Sequence, residues 1–524
     1  MDVLLASPPQ ALTTSVSPRR FAWAFFPAFA LVWVFLPWLV NQTVNRDTIQ
    51  IVYWGREWQA GYFKHPPLVA WLGGALREVF GPTDTVFYLT GAILVLATFA
   101  AIHRLARRYL GPWAAMMATA SLTVIGFYSY LLPNLNHNVV LLLPWAMILL
   151  CAHGAIEQRR PWAWVGLGMW FGIGILTKYT VLVLGPLLLA HMLAETRHRA
   201  LFLRPGPWLA LGIAIAVALP HLSWLMDGGF APLRYAADGA GLTEPPQPVD
   251  HLLGPLLSLG KMVGMAGSLV VLLAGVLGRP RWRPKPPDSA ERFLILVTLG
   301  PPAMVLGLAV LTGGEMRNEW AMPFFLPLPL LLLHRCHRMP DQNAVRRFSV
   351  GLGAMSLAMV ATYTLIFTGF IQFSEEDEWS QFPARALAAR IGDGWAQVCP
   401  GTVPVIVGDS WLAGTASYLL PGRVRVYTEA DSRMAPWLYD GAIRDNGAVV
   451  VWNKGNPSQF RDLDHQDEDN DPDTPDWFPG LESLAARFGA VRPLPDAILS
   501  YGGIAAQPPA VIGLAVVPPA KGCR

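Results

Sequence analysis

The chain has 524 residues, of which 53% are apolar and 14% charged, with a mean hydropathy of +0.37. Soluble domains carry about a quarter charged residues, so this composition argues against a soluble enzyme. A net charge of +3 from 39 basic and 36 acidic residues lacks the excess a nucleic-acid partner demands, and four cysteines without knuckle spacing exclude a disulfide scaffold or a zinc finger.

About twenty mostly apolar residues cross the roughly 30 Å hydrocarbon core of a bilayer. Taken in chain order, the segments that qualify begin with 21–45 and 85–103. Residues 109–156 are twice as long as one span, and their middle, Leu132-Pro-Asn-Leu-Asn-His-Asn138, is polar and helix-breaking, which predicts two spans joined by a turn. Segments 162–176, 179–193, 205–226, 252–277, 293–314, 320–333 and 348–374 follow. The fold class is thus an all-α polytopic membrane bundle of about eleven transmembrane helices, spanning residues 1–372, followed by a soluble C-terminal α/β domain. The first span is too long for a signal-peptide core and is read as retained.

With the N-terminus inside, nineteen Lys and Arg residues fall in cytoplasmic segments and seven in the opposite loops. The seven are Arg46, Arg56, Lys64, Arg77, Lys178, Arg234 and Arg317, and they require an explanation other than topology. An odd number of spans places residues 373–524 outside. There, β-branched runs at 403–407, 424–427, 448–452 and 511–517 predict strands. The acidic stretch 462–476 has Pro472 where a calcium loop wants Gly, so it reads as solvated. Cys399 and Cys523 share this outward domain and are expected to pair, because an oxidising compartment permits it.

The first outward loop, 45–68, packs acid, base, imidazole and aromatics against the end of the first span, which membrane insertion alone does not require. A carboxylate such as Asp47 can take a proton from a hydroxyl, and Lys64 can hold a phosphate leaving group. A solvated interfacial loop with snorkelling cations is the competing reading. Lys178 stands in an apolar frame where charge is expensive, which favours a site-lining role. Arg234 and Arg317 are phosphate-binding candidates, while His221 reads as a satisfied buried histidine.

Asp47 followed by Gly61-Tyr-Phe-Lys-His-Pro-Pro-Leu-Val-Ala-Trp71 resembles the acidic first loop and Gly-Tyr-x-x-x-Pro-Pro-Leu-x-x-Trp signature of the integral-membrane GT-C glycosyltransferases of the protein-mannosyltransferase and aminoarabinose-transferase type. Asn136-His-Asn138, Gly172-Ile-Gly-Ile-Leu-Thr-Lys-Tyr179, Pro220-His-Leu-Ser-Trp224 and Trp320-Ala-Met-Pro323 support the resemblance over residues 20–370. It implies an inverting transfer of a sugar from a polyprenyl-phosphate carrier to lipid A, lipopolysaccharide core or another envelope glycan, at the periplasmic face of the bacterial inner membrane. Asp47 takes the role of catalytic base. Lys64, His65, Asn138, His137, Lys178, Arg234, Arg317 and Tyr62 are the substrate-binding candidates. Two departures are Asn138 and Thr48, at positions where the family often has Asp and Glu; both remove ligands, so a divalent cation is left without support and no cofactor is expected. Expected partners are the lipid-linked donor, a glycolipid or glycan acceptor and membrane lipids. A protein O-glycosyltransferase and a lipid-linked sugar transporter remain as alternatives.

Overall fold

The computed structural model describes residues 17–238, 247–277, 286–314, 318–336, 340–368, 370, 379–454, 478–503 and 508–523. Helix α1 (Pro18–Val40) opens on Ser17, whose hydroxyl accepts from the Arg20 N–H at 3.2 Å, with Pro18 in the first turn, where a missing N–H costs nothing. There follow α2 (Arg46–Gly55), α3 (Leu68–Phe80), α4 (Asp84–Ala106), α5 (Pro112–Ala120), α6 (His137–Ile156), α7 (Trp162–Thr177), α8 (Leu184–Ala194), α9 (Thr196–Arg199) and α10 (Pro205–Asp227). The bundle continues with α11 (Ala231–Asp238), α12 (Asp250–Leu277), α13 (Ser289–Thr312), α14 (Leu328–Arg335) and α15 (Gln342–Phe367).

Among the described residues, α1, α4, α6, α10, α12, α13 and α15 are long and apolar enough to cross a membrane. The other expected spans are shorter or broken. Beyond α5 the chain runs through 3-10 turns at Ser121–Val124 and Gly126–Tyr128. Between the 16-residue α7 and α8, Lys178 is extended and a 3-10 turn covers Tyr179–Val183. The segment 179–194 then bends by 111° into 196–203. Asn318–Phe325 is a 3-10 turn ahead of α14. Irregular backbone in an apolar bundle is tolerated where it is buried in protein or lines a cavity. These breaks at 131–138, 178–183 and 319–322 border one and the same cavity.

The first outward segment, expected as a loop, is a helical hairpin. Asn45 caps α2 by accepting from the Asp47 N–H at 3.0 Å, and residues 48–55 are all buried. Glycines let α2 and α3 touch backbone to backbone: a Cβ on Gly55 would lie 1.7 Å from the Ala70 carbonyl oxygen, and one on Gly74 2.4 Å from the Gly55 carbonyl carbon. The polar composition of 45–68 hides this helix, because Arg46, Thr48 and Gln50 are buried rather than solvated.

The C-terminal region holds α16 (Ala384–Ala396), α17 (Leu412–Leu419), α18 (Asp440–Asn446), α19 (Leu481–Phe488) and five strands. The sheet order is β2 (Arg425–Thr428), β1 (Val405–Gly408), β3 (Ala448–Asn453), β5 (Ala510–Val517), β4 (Arg492–Leu499). β1 is parallel to β2 and β3, whereas β5 is antiparallel to β3 and β4. Four strands match the β-branched runs. β4 carries Pro493 and Pro495, which mask it in the sequence and are tolerated because it is an edge strand. Cys399 and Cys523 are disulfide-bonded, with Cα atoms 5.4 Å apart. The acidic stretch 462–476 lies outside the described residues.

This region sits on the α2–α3 hairpin. Arg77 donates from Nε to the Tyr418 carbonyl at 2.7 Å and from a terminal nitrogen to the Leu420 carbonyl at 3.1 Å, and Arg56 donates to the carbonyls of Ser417 and Gly422. Two of the seven cations left unexplained by loop charge thus bond carbonyls at and just beyond the C-terminus of α17, the end of a helix that favours positive charge. Arg425 grips Glu57 through two hydrogen bonds of 3.0 and 2.9 Å. Gly414 is pressed so close that a Cβ there would lie 2.7 Å from the Ile49 side chain.

Candidate active site

The cavity enclosed by the three helix breaks has a volume of about 450 Å³. The hairpin supplies Arg46, Asp47, Gln50, Lys64 and His65 to its wall, the break before α6 supplies Asn134, Asn136 and Asn138, and the break after α7 supplies Lys178 and Tyr179. Val305, Leu308 and Ala309 of α13 make an apolar side, and Trp320 and Trp379 add aromatic faces.

Asp47 lies in the first turn of α2, where the helix dipole favours a carboxylate. Asn136 donates to its Oδ2 at 2.8 Å and Asn134 to the same oxygen at 3.4 Å. Among the described residues, Oδ1 accepts no hydrogen bond. Both donors are neutral amides, so the carboxylate is oriented without being neutralised. Asn136 also caps α6, its side-chain oxygen accepting from the N–H groups of Asn138 and Val139 at 2.9 and 3.1 Å. One residue thereby starts the helix and aims the acid.

Two ammonium groups face this carboxylate's cavity. Lys178 is 8% exposed; its Nζ donates to Asn138 Oδ1 at 2.6 Å and lies 5.5 Å from the centre of the Trp320 ring. The Asn138 amide thus orients the ammonium without adding a negative charge beside it. Lys64 is 6% exposed, with Nζ 5.3 Å from the Tyr235 ring. His65 borders the cavity, and His137 lies behind it, with ring centres 3.9 Å apart. Thr48 is turned inward, donating to the Leu135 carbonyl at 3.2 Å, and so fixes the hairpin to the break before α6.

The structure thus brings together Asp47, Lys64, His65, Asn138 and Lys178, with His137 in contact. Tyr62 is not among them. It stacks on Trp54 at 5.1 Å and donates to the Trp54 carbonyl at 2.8 Å, and burial pushes its phenol pKa up. It is a packing residue because the Gly-Tyr turn folds under the hairpin rather than over the cavity. Arg234 also departs from expectation: it is exposed on α11 and donates to the Gly229 carbonyl, while its neighbours Pro232 and Tyr235 face the cavity. Arg317 lies outside the described residues. His221 is a satisfied buried histidine, with both ring nitrogens hydrogen-bonded, to Tyr179 at 2.7 Å and to the Ala60 carbonyl at 2.8 Å.

Sequence reasoning missed three contributors. Asn134 and Asn136 read as turn formers, and the spacing of three asparagines around Asp47's partner segment was the available signal. Trp379 comes from the far side of the chain; it is 9% exposed, stacks on Trp411 at 5.2 Å and carries the Arg46 guanidinium 4.5 Å above its ring. Nothing local marks it.

The cavity is thus formed by broken helices, with a carboxylate and buried cations on its wall. The family model of dolichyl-phosphate-mannose-protein mannosyltransferases matches residues 64–224. The fold is similar to that of ArnT from Cupriavidus metallidurans bound to undecaprenyl phosphate, at a TM-score of 0.60 and 15% identity, covering 94% of this chain and 98% of that one. In sequence the chain is 25% identical over 293 residues to the lipid A galacturonosyltransferase RgtD of Rhizobium johnstonii, spanning 53% of this chain but 58% of that relative's length. It is 24% identical over 423 residues to the lipopolysaccharide core galacturonosyltransferase RgtA of the same organism, spanning 75% and 83% of the two chains. The partial family match, these relatives and the ArnT-like fold together support a GT-C glycosyltransferase of the protein-mannosyltransferase and aminoarabinose-transferase type, in a multi-pass bacterial membrane protein.

Proposed function

We propose that the enzyme transfers an acidic sugar of the galacturonic type from a polyprenyl-phosphate carrier to lipid A or lipopolysaccharide core. The Rhizobium relatives support the sugar and the acceptor, and the undecaprenyl phosphate bound by the structural neighbour supports the carrier. The observation that carries this reading is the Asp47 carboxylate, held by amides alone, on the same cavity wall as Lys64 and Lys178. A nucleotide is not required, because the phosphate ester already activates the sugar.

In this mechanism Asp47 Oδ1 accepts the proton of the acceptor hydroxyl as its oxygen attacks the anomeric carbon. The bond from that carbon to the phosphate oxygen breaks on the opposite face, inverting the configuration. Lys64 and Lys178 hold the departing phosphate by charge-assisted hydrogen bonds. The apolar side on α13 accommodates the start of the prenyl chain. Asn138 orients Lys178, His65 borders the sugar, and no step calls on a metal ion.

Residues 1–372 would form the membrane transferase unit and 373–524 a periplasmic domain, with the N-terminus cytoplasmic in the inner membrane. The charge asymmetry of the loops supports this orientation, and so does the Cys399–Cys523 bond, which an oxidising compartment preserves. The test is transfer by the purified protein from polyprenyl-phosphate galacturonic acid to lipid A and core acceptors. Wild type is expected to turn over, and Asp47→Asn to lose about 10² to 10⁴ in rate with unchanged expression. Transfer by Asp47→Asn at the wild-type rate would remove Asp47 from the base role, and product on secreted protein instead of lipopolysaccharide would change the acceptor.

A further inference from the structure

At the opposite end of α6 a second polar cluster is buried, remote from the cavity. Glu157, the residue that caps the C-terminus of α6, is 5% exposed in its side chain, while His191 of α8 is 3% and His198 of α9 is 0% exposed. His191 Nε2 lies 2.7 Å from Glu157 Oε1, and His198 Nε2 lies 3.5 Å from the same oxygen. One donor atom from each of the three residues falls within 4.8 Å of the others. Ser289, the first residue of α13, donates to Glu157 Oε1 at 3.1 Å.

The proton positions set this cluster apart from an ordinary ion pair. Arg197 donates from Nε to His198 Nε2 at 3.1 Å, so that nitrogen carries a lone pair and the ring proton resides on Nδ1. His198 Nδ1 is buried with no hydrogen-bond partner among the described residues. The fold therefore holds an inward-facing imidazole lone pair opposite a carboxylate oxygen, and leaves a buried N–H unsatisfied to do so. Two acceptors facing each other at 3.5 Å need a cation between or beside them. In this structure the Arg197 guanidinium supplies it, 2.6 Å from Glu157 Oε2, yet the Arg197 side chain is 55% exposed and can leave into solvent at little cost.

We propose that Glu157, His191 and His198 form a divalent transition-metal site of the zinc class, for which Arg197 is the displaceable occupant. Two neutral imidazoles and one carboxylate are a ligand set that zinc takes, with water completing the tetrahedron. The site would be structural. It ties the end of α6 to α8 and α9 across the 111° bend and, through Ser289, to the start of α13. The other ends of α6 and α13, and the turn that leads into α8, border the catalytic cavity, roughly 30 Å away along a helix of 20 residues. The ion would thus clamp the floor on which the cavity walls stand.

The test uses the full-length protein in detergent, stripped with a chelator and titrated with Co²⁺, whose visible bands report tetrahedral nitrogen and oxygen ligation. One Co²⁺ per chain is expected, displaced by Zn²⁺, with a higher melting temperature for the loaded protein. His191→Ala and His198→Ala should abolish the bands. Arg197→Ala alters an exposed side chain, so it tests the site even where the histidine variants fail to fold. Its Co²⁺ affinity should rise about fivefold, as a competing surface ion pair is removed. Wild type and Arg197→Ala both without bands would show a closed ion-pair network and overturn the proposal, as would binding that persists in both histidine variants.

Discussion

Asp47 and Glu157 are two inward-facing carboxylates met by opposite ends of α6, and they are treated in opposite ways. Asp47 receives two amides, from Asn136 and Asn134, and borders an open cavity. Glu157 faces the His191 imidazole, the Ser289 hydroxyl and the Arg197 guanidinium, with the His198 lone pair opposite, and is buried. Neutral donors fix direction and leave charge in place, whereas ionic partners consume it. The same rule applies to Lys178, oriented by the Asn138 amide.

This contrast can be broken at several points. After Asp47→Asn, Lys178→Met should cause the next largest loss, about 10²-fold in kcat with the lipid-linked donor, because the proposed mechanism then lacks a buried cation at the leaving phosphate. Asn138→Asp would convert the neutral arrangement into an ion pair at 2.6 Å; a loss of roughly 10-fold or more is expected, and the double variant with Lys178→Met should be no worse than Lys178→Met alone. Equal and additive losses would mean that the two residues act separately. Gly55→Val should leave the chemistry but destabilise the hairpin by about 1–3 kcal/mol or more, seen as a lower melting temperature in detergent, because the site has no room even for a Cβ. Glu57→Gln should shift stability least, by about 1 kcal/mol or less, since its partner Arg425 is 34% exposed and solvent screens the pair.

Much of the bundle was legible because hydropathy and loop charge act over twenty-residue windows, which local irregularity does not erase. Asp47, Lys64 and Lys178 were legible for the inverse reason: charge in such surroundings needs a purpose. The helix at Arg46–Gly55 was not, because its buried polar side chains imitate a loop. Arg234 and Tyr62 lie off the cavity wall, since composition names a residue but not the face it occupies. Trp379 reaches the cavity through tertiary packing alone, and β4 hides behind its two prolines.

The Arg46–Trp379 contact carries an implication for biogenesis. Domains tend to fold in the order in which the ribosome delivers them. The helices can be inserted before the segment bearing Trp379 and its seat on α2 and α3 has emerged, so the reaction chamber lacks a wall until then. Catalytic competence would therefore be a late event in the life of each new molecule, arriving with the docking of its final quarter rather than with membrane insertion.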